Sequence, residues 1–526
     1  LVIINKDITL RGAGAGKTIM RKTNGAVMNQ SESPDAQPNI IIGPHRWPKP
    51  DSETSRNLTL NGTKGSFTVA VADAEGLRAG ELVLVDELSG ASWQNDRLGR
   101  GQIWATPDYR VVWQFHNPGQ DWDDPLVAAS PTGGAAANWF SRQDRVTAEV
   151  KEIASVEGNT IRFTSPLHAD FRVSHVAQLT QYAIDAHVRD AGVEDLTVVG
   201  GSDGAIRFEN AAYSWAKAVE VTVWNGEGIS EDNSFRIEVR DSYIHDAAWA
   251  QPGGAGYAIS LATGSSEALF ENNIVVKANK VIVARSAGAG SVFGYNYMDD
   301  GYINNVGGWI EIGLNASHMV GSHHVLFEGN YGFNWDSDHT HGNATYHTVF
   351  RNYLRCLRGP FVNPLNGRTV DDVKQTRNGP RRCIGATAYS YWMSFIGNVL
   401  GAPGQMEGWT YEATGRDGMS QPSIWLLGWD DISPQPYDPE TVKTTLRFGN
   451  FDYLTNSVGW DTGIAKRELP PSLYLSKKPE FFNAGRGYEW PWVDANGAAK
   501  VSTSVSYTHL RAHETPEHLV CRLLLE

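Results

Sequence analysis

One stretch of the chain concentrates the residue types that acid–base chemistry needs. It reads NWDSDHTHGN over residues 334–343 and holds two carboxylates and two imidazoles beside an indole, those of Asp336, Asp338, His339, His341 and Trp335. Carboxylates and imidazoles this close shift each other's pKa, which is the usual preparation for general acid–base catalysis. The same side chains could instead bind a cation, contact a glycan without catalysis, or hydrogen-bond the backbone of an exposed turn.

Two adjacent carboxylates form a second candidate site. Asp299 and Asp300 precede a glycine in YMDDG. Such a pair can serve hydrolysis, which needs two carboxyl groups with different roles, or it can offer hard oxygen ligands to Ca²⁺. An ordinary Asp-Asp-Gly turn explains the same residues equally well. Calcium is the one cofactor that the sequence suggests, with Asp299 and Asp300 as its ligands.

Basic and aromatic residues complete the set of candidates. Arg285, in VIVARSAGAG, is a candidate base or acid in a groove, or else an exposed salt-bridging side chain. Glu311 is a further candidate catalytic carboxylate. We expect substrate contacts from indole, imidazole and basic side chains, those of Trp309, Trp335, His324, Lys277 and Arg355. The pair His323–His324 precedes a strand, so alternation points one ring inward and one outward.

Composition limits the classes of partner. The chain has 526 residues, with 54 Gly, 18 Trp and 19 Tyr, and a net charge of −14. Glycine and aromatic residues in these numbers favour a turn-rich β protein. A nucleic-acid partner is disfavoured because phosphate binding needs a basic face. No apolar run reaches the length of a membrane span, so we expect no membrane partner.

The opening segment ITLRGAGAGKT, residues 8–18, superficially resembles a phosphate-binding loop. That motif needs glycine, four spacers and then Gly-Lys-Thr, which would place its first glycine at position 11. Arg11 stands there instead, and the segment after Thr18 is too soon broken by Asn-Gly for a crossover helix. We therefore expect no nucleotide partner and interpret the segment as strand, glycine turn and strand.

A repeat decides the fold prediction. From about residue 190, apolar segments that carry a Phe and an Asn recur, each followed by a polar turn. The asparagines fall at separations of 23, 34, 22, 46 and 52 residues, at Asn273, Asn296, Asn330, Asn352, Asn398 and Asn450. A turn of 22 or 23 residues is too short for an α/β repeat and fits three short parallel strands. Stacked asparagines can then form a hydrogen-bonded ladder, with Phe and Val stacked inside.

These features resemble the right-handed parallel β-helix of the pectate-lyase superfamily. The likeness covers residues 1–45 and 181–455, where the opening glycine turn is similar to that superfamily's first turn. The resemblance implies an all-β fold and a polysaccharide-active enzyme, a glycan lyase or a glycoside hydrolase, acting in a groove along the solenoid. It also implies Arg285 and His341 as base and acid, since their positions resemble the lysine and arginine of alginate and chondroitin lyases. A non-catalytic carbohydrate-binding β-helix is the alternative.

The composition and the pattern of predicted strands divide the chain into five parts. Alternating strands with Glu-Gly and Gly-Asn turns, at residues 65–87 and 145–167, predict a small inserted β-barrel or sandwich. The predicted parts are a first solenoid turn, an insertion with Trp-rich loops, the main solenoid, a C-terminal wrap and a non-native tail, at residues 1–45, 46–180, 181–455, 456–500 and 501–526. The segment 505–526 resembles translated sequencing-adapter read-through.

The cysteines and the ends bear on location. Cys356 and Cys383 bracket an Arg/Pro/Gly-rich loop and form either a disulfide or two buried thiols. The chain starts without Met or a signal peptide, so we expect a mature or truncated start. An extracellular or periplasmic location, a monomer and a polysaccharide partner complete the expectations.

Overall fold

The structure is a computed structural model of the whole chain. It describes residues 2–23, 38–44, 49–88, 142, 145, 147–183, 186–201, 204–248, 250, 256–285, 287–301, 313–316, 321–337, 344–362, 367, 369–370, 382–387, 390–413, 421–429, 437–483, 489–497 and 501.

The main body is a solenoid in which each turn contributes one short strand to each of three sheets. Consecutive turns pair in parallel and in register, for example Phe270 with Phe293 and Phe293 with Phe327. Sheet I contains, in spatial order, Val2–Ile4, Ile40–Ile42, Ile206–Glu209, Glu227–Asp232, Tyr257–Ala262, Ile282–Arg285, Leu314–Ala316, Trp335–Ser337, Arg382–Thr387, Ser423–Trp429 and Thr410–Ala413. This confirms the predicted all-β parallel β-helix.

The other two sheets follow sheet I in every turn. Sheet II contains Thr9–Arg11, Gly192–Glu194, Trp215–Lys217, Glu238–Arg240, Leu269–Glu271, Val292–Gly294, Leu326–Glu328, Thr348–Phe350, Ser394–Ile396 and Leu446–Phe448. Sheet III contains Ile19–Arg21, Thr197–Val199, Glu220–Thr222, Tyr243–His245, Ile274–Val276, Tyr297–Asp299, Tyr331–Gly332, Tyr353–Leu354, Val399–Leu400, Asn450–Asp452 and, antiparallel to it, Ser457–Gly459. Residues 12–18 form the turn between the first strands of sheets II and III.

The interior of the solenoid is built from equivalent residues of successive turns. Phe270, Phe293 and Phe327 stack with ring centroids 4.6 and 5.3 Å apart. At the bend between sheets II and III, each ladder asparagine accepts the backbone N–H of the preceding one at 2.8–3.0 Å, from Asn273 through to Asn450. Their amide groups also donate to backbone carbonyls, so buried polar groups at the bend are satisfied. The predicted Phe stack and Asn ladder are confirmed.

A six-stranded antiparallel sheet interrupts the solenoid in its second turn, after the strand Ile40–Ile42. Its strands, in spatial order, are Arg56–Asn57, Gln178–Gln181, Leu82–Glu87, Thr147–Glu157, Thr160–Phe163 and Thr68–Ala70. A bridge between Leu58 and Val71 joins the two edge strands, so the sheet closes into a small barrel with its own apolar core. We call this unit the barrel.

The barrel is fixed to the solenoid by buried polar contacts. Glu267, on the turn before sheet II, accepts hydrogen bonds from Lys151 at 2.8 Å and Arg236 at 2.9 Å. Its carboxylate also contacts the His168 imidazole at 3.2 Å. Because two of these partners belong to the barrel and Arg236 to the solenoid, one carboxylate joins the two units.

Few other elements are present among the described residues. The helices are Ser52–Thr54, Val173–His175, Pro439–Thr444 and Glu480–Asn483. Two-stranded pairs are formed by Val188–Arg189 with Ala211–Ala212, Ser322–His323 with Ala344–Thr345, and Phe361–Val362 with Thr369–Val370. None of the described helices is long and apolar enough to cross a lipid bilayer.

Candidate active site

The turns that follow sheet III carry a line of ionisable side chains. His245, Val276 and Asp299 end successive strands in register, so the residues that follow them occupy equivalent places about 4.8 Å apart along the axis. Those residues are Asp246, Lys277 and Asp300, and all three adopt a left-handed backbone conformation, with φ of 57°, 58° and 53°. Their side chains therefore leave the turns in a similar direction. Together with Asp299 and Arg355, we call them the charged row.

Asp299 and Asp300 are the electrostatic centre of the charged row. Burial and the neighbouring Asp299 charge raise the pKa of Asp300 to about 7. Burial also raises the pKa of Asp299. However, Asp299 accepts the Asp300 N–H at 2.9 Å and the Tyr297 hydroxyl at 3.3 Å, and both bonds favour its ionised form. Asp300 is therefore a carboxyl group that titrates near neutral pH, next to a second carboxyl group whose pKa is also raised.

Cationic groups flank this pair on both sides along the axis. Lys277 lies 3.7 Å from Asp246 and interacts with Asp300. Arg355 donates to the Tyr331 hydroxyl at 2.9 Å and interacts with Asp299. Tyr331 in turn stacks on Tyr297 at 4.7 Å, which fixes both hydroxyl groups beside the pair. The arrangement places half-buried acids between bases on a repeating scaffold.

The row also includes a histidine held by two carboxylates. His245 contacts Asp246 at 2.6 Å and Glu220 at 3.2 Å. Burial opposes the charged imidazole, but these hydrogen bonds raise the pKa of His245 overall. The Glu220 partner was not among the predicted residues; it begins the strand Glu220–Thr222, one solenoid repeat before the strand that ends at His245.

Asp336 lies elsewhere and has a different partner. The sequence predicted Asp336, Asp338, His339 and His341 on one turn beside Trp335, but Trp335–Ser337 is a strand of sheet I, so its side chains alternate. Asp336 is fully buried on the outer side of the sheet and accepts a hydrogen bond from Arg382 Nε at 2.5 Å. In the next strand of sheet I, the register partner of Asp336 is Gly385. A Cβ at Gly385 would clash with the side chains of Asp336 and Arg382. A missing side chain therefore makes room for this ion pair.

Arg382 was not predicted, although a signal for it existed. It directly precedes Cys383, which forms a disulfide with Cys356 across 27 residues of sequence. The disulfide closes the loop whose last residue before the cysteine is Arg382, and so fixes the base of that loop beside sheet I. The sequence left open whether the two cysteines are joined, and the structure joins them.

Arg285 forms a salt bridge, as one interpretation of the sequence held, but its side chain is buried and not exposed as that interpretation had it. Its guanidinium pairs with Glu227 and lies 5.6 Å from the centre of the Tyr257 ring. Its side chain is 9% exposed. A catalytic role for Arg285 stays a prediction.

Two of the predicted substrate contacts, Trp335 and His324, pack against aromatic rings of the chain itself. The Trp335 prediction is wrong, because its indole is fully buried in the solenoid core, 5.0 Å from the Phe395 ring. His324 stacks on Tyr346 at 4.9 Å and contacts His323 at 3.0 Å. Burial and the neighbouring His323 lower the pKa of His324 well below its usual value, so the ring is neutral.

Five predicted site residues lie outside the described residues. They are Trp309, Glu311, Asp338, His339 and His341. Their predicted roles stay predictions.

The calcium prediction was tested against the donor set. Among the described residues no group of three or more His, Cys, Asp or Glu side chains is placed to hold a metal ion. Asp299 and Asp300 also interact with Lys277, Arg355 and Arg358, whose positive charges oppose a cation. The surrounding positive charges disfavour calcium at Asp299 and Asp300, and the calcium site stays a prediction.

Comparison with known proteins gives distant structural likenesses. No family model matches the sequence, and no curated protein matches it either. Among solved structures, the Pseudomonas phage phi297 tailspike gp61 is 12% identical with a TM-score of 0.43, covering 77% of this chain and 54% of that one. The tailspike gp49 of Pseudomonas phage LKA1 is 12% identical with a TM-score of 0.44, covering 77% and 55%.

A third tailspike, Gp54 of Acinetobacter baumannii phage AP22, was solved in complex with a capsular saccharide. It is 10% identical with a TM-score of 0.33, covering 86% of this chain and 65% of that one. The chain thus spans between about half and two thirds of these tailspikes. Likenesses this distant carry no argument about activity, and the β-helix is established by the chain's own sheets.

Proposed function

We propose that this protein is a secreted enzyme that cleaves a polysaccharide, with Asp299 and Asp300 as its acid–base pair. The observation that carries the proposal is the half-buried pair of adjacent carboxyl groups in the charged row, Asp299 and Asp300. General acid catalysis near neutral pH needs a carboxylic acid whose pKa lies close to the working pH. Burial and the Asp299 charge supply that condition at Asp300.

The two carboxyl groups take different roles in the proposed hydrolysis. Asp300 donates its proton to the glycosidic oxygen as the bond between that oxygen and the anomeric carbon breaks. A water molecule attacks the anomeric carbon and gives its proton to Asp299, whose carboxylate accepts hydrogen bonds from the Tyr297 hydroxyl and the Asp300 N–H. The pair ends with the same number of protons that it had at the start.

The cations on either side of the pair favour an acidic glycan. Lys277 and Arg355 are half-buried and lie along the solenoid axis, the direction in which an extended polymer would run. A carboxylate or sulfate on successive sugars would then meet positive charge on both sides of the scissile bond. A lyase reaction is the second possibility, in which these bases neutralise a uronate carboxylate, but hydrolysis fits better because the raised pKa belongs to a carboxyl group.

The test is incubation with a panel of neutral and acidic polysaccharides. Hydrolysis gives new reducing ends without unsaturated sugars. A lyase gives one UV-absorbing unsaturated end for each new reducing end. We expect reducing ends alone. Retained binding to a panel member with no product of either kind would contradict the proposal and favour the non-catalytic carbohydrate-binding alternative.

A further inference from the structure

A cavity lies away from the charged row, where the barrel meets the outer face of sheet II. Its volume is about 590 Å³, within the range of small-molecule sites. The floor is formed by outward residues of three successive turns, Trp215, Glu238 and Leu269. One wall is formed by Ser165, Pro166 and His168 of the barrel, and Arg236 also lines the cavity. The cavity is open enough to admit a ligand but is shaped by two separate units.

The indole of Trp215 is held flat on this floor. In the preceding turn its register partner is Gly192, where a Cβ would clash with the indole ring. The ring therefore lies against backbone, with its Nε1–H donating to Glu194 at 2.6 Å. Glu194 is itself fixed by Arg11 Nε at 2.6 Å. A half-buried indole that is immobilised in this way presents a rigid apolar surface to the cavity.

Polar groups of opposite sign stand beside that surface. Glu238 is the next outward residue after Trp215, and its side chain is 49% exposed. Arg236 donates to Glu267 through Nε at 2.9 Å, and its side chain is 35% exposed. Because Glu267 is held by Lys151 and His168 of the barrel, the orientation of the Arg236 guanidinium is fixed before any ligand arrives.

We propose that this cavity is a secondary saccharide-binding site. A pyranose ring has an apolar face of C–H groups and a rim of hydroxyl groups. Its apolar face would lie on Trp215, while neighbouring hydroxyls would donate to Glu238 and accept from Arg236. The proposal rests on the proposed function only for the class of ligand. Three turns, roughly 14 Å along the axis, separate Trp215 from the turn that carries Asp299, so the site is distinct from the acid pair.

A secondary site matters for long glycans. Two contact points on one polymer make the second binding event intramolecular, which raises apparent affinity without any new chemistry. We therefore expect the cavity to affect binding of glycans and the KM for polymers, and to leave kcat on short oligosaccharides unchanged.

The experiment separates binding from cleavage by using Asp300→Asn as the background. Probes are tetrasaccharides of glucose, xylose, galacturonate and alginate, and binding is measured by calorimetry and by saturation-transfer NMR. We expect one or more probes to bind the background protein, and Trp215→Ala to weaken that binding roughly tenfold or more, about 1.4 kcal/mol. Gly192→Ala should weaken it too, because it displaces the indole without removing it.

A matched control is Trp460→Ala, which removes another half-buried indole outside the cavity and should leave the affinity unchanged. Circular dichroism and the melting temperature establish that each variant is folded. Equal affinity of the background and Trp215→Ala proteins, or binding of none of the probes, overturns the proposal. Absence of cleavage by the wild-type protein, with Trp215-dependent binding intact, sinks the proposed function alone.

Discussion

Asp300 and Asp336 are both acidic residues of the same solenoid, and the structure gives them opposite surroundings. Asp336 is fully buried with Arg382 at 2.5 Å, so its charge is compensated. Asp300 is half-buried, and its immediate neighbour is a second carboxylate. A directly bonded cation makes a carboxylate a structural tie, whereas an adjacent like charge raises its pKa and makes it a proton donor.

The comparison shows why residue type alone misleads in a repeat fold. Both aspartates stand in polar stretches of sequence, YMDDG and NWDSD. Only the long-range partner, supplied 46 residues later in the case of Asp336, distinguishes them.

The largest expected effect is a difference in turnover between Asp300→Asn and Asp336→Asn. Asp300→Asn should lower kcat by roughly 10²–10⁴-fold, because the amide cannot donate the proton. Folded Asp336→Asn, compared at the same temperature, should keep most of its turnover. Asp190→Asn is the control, since Asp190 shares the left-handed backbone at φ 52° but lies outside the charged row. Full activity in Asp300→Asn, with loss of turnover in Asp338→Ala or His341→Ala, would move the machinery to residues 334–343.

The free energy of unfolding should depend on the buried Asp336–Arg382 pair, whereas turnover should depend on Asp300. Removing one partner of the buried pair, by Asp336→Asn or Arg382→Met, should lower the free energy of unfolding by about 3–5 kcal/mol. Gly385→Ala should act in the same direction, because its Cβ would clash with both partners. Chemical denaturation measures the change, with Asp190→Asn again as the control. An unchanged midpoint in all three variants would mean that the pair does not stabilise the fold.

The pH dependence of activity should report Asp300. Its acid form is lost as pH rises through about 7, so kcat/KM should fall roughly tenfold for each pH unit above that value. Rates measured between pH 5 and 9 test this. A rate that rises up to pH 9 would show that the essential group acts as a base with a higher pKa, as expected for a lyase.

The same carboxyl group should also affect stability with pH. The pKa of Asp300 is raised from 3.8 to about 7, so the ionised form is disfavoured in the folded protein and stability is lost as pH rises through 7. Asp300→Asn cannot ionise and should be more stable than wild type above pH 7, by roughly 1–3 kcal/mol, with no gain below pH 4. Denaturation curves at pH 3.5 and 8 give the comparison. A gain of equal size at both pH values would point to a cause other than titration.

The smallest expected effect concerns calcium. Since Lys277 and Arg355 flank the acid pair, a chelator such as EDTA should change neither turnover nor melting temperature. Addition of millimolar Ca²⁺ after the chelator is the control. A loss of activity that Ca²⁺ restores would return Asp299 and Asp300 to the role of metal ligands.

The sequence was sufficient for features that repeat once per turn. The Asn ladder and the Phe stack could be predicted because each turn contributes one residue of fixed type. The error at Trp335 came from assigning a turn where a strand forms, since alternation then sends its indole into the core.

Features that join distant segments were not accessible from the sequence. The partner of Asp336 lies beyond the loop closed by Cys356 and Cys383, so spacing gave no indication of it. The cavity at Trp215 depends on how the barrel docks against sheet II, and no local pattern encodes that docking.

The position of the barrel has a consequence for the order of folding. The insertion separates the first solenoid turn and the strand Ile40–Ile42 from the rest of the solenoid, and the contact from Arg11 to Glu194 spans 183 residues of sequence. Closing so long a loop costs entropy before any contact compensates for it, so this turn should dock late and fray early. Because Glu194 also holds the indole of Trp215, the saccharide cavity gains its rigid floor only when the amino-terminal end has docked.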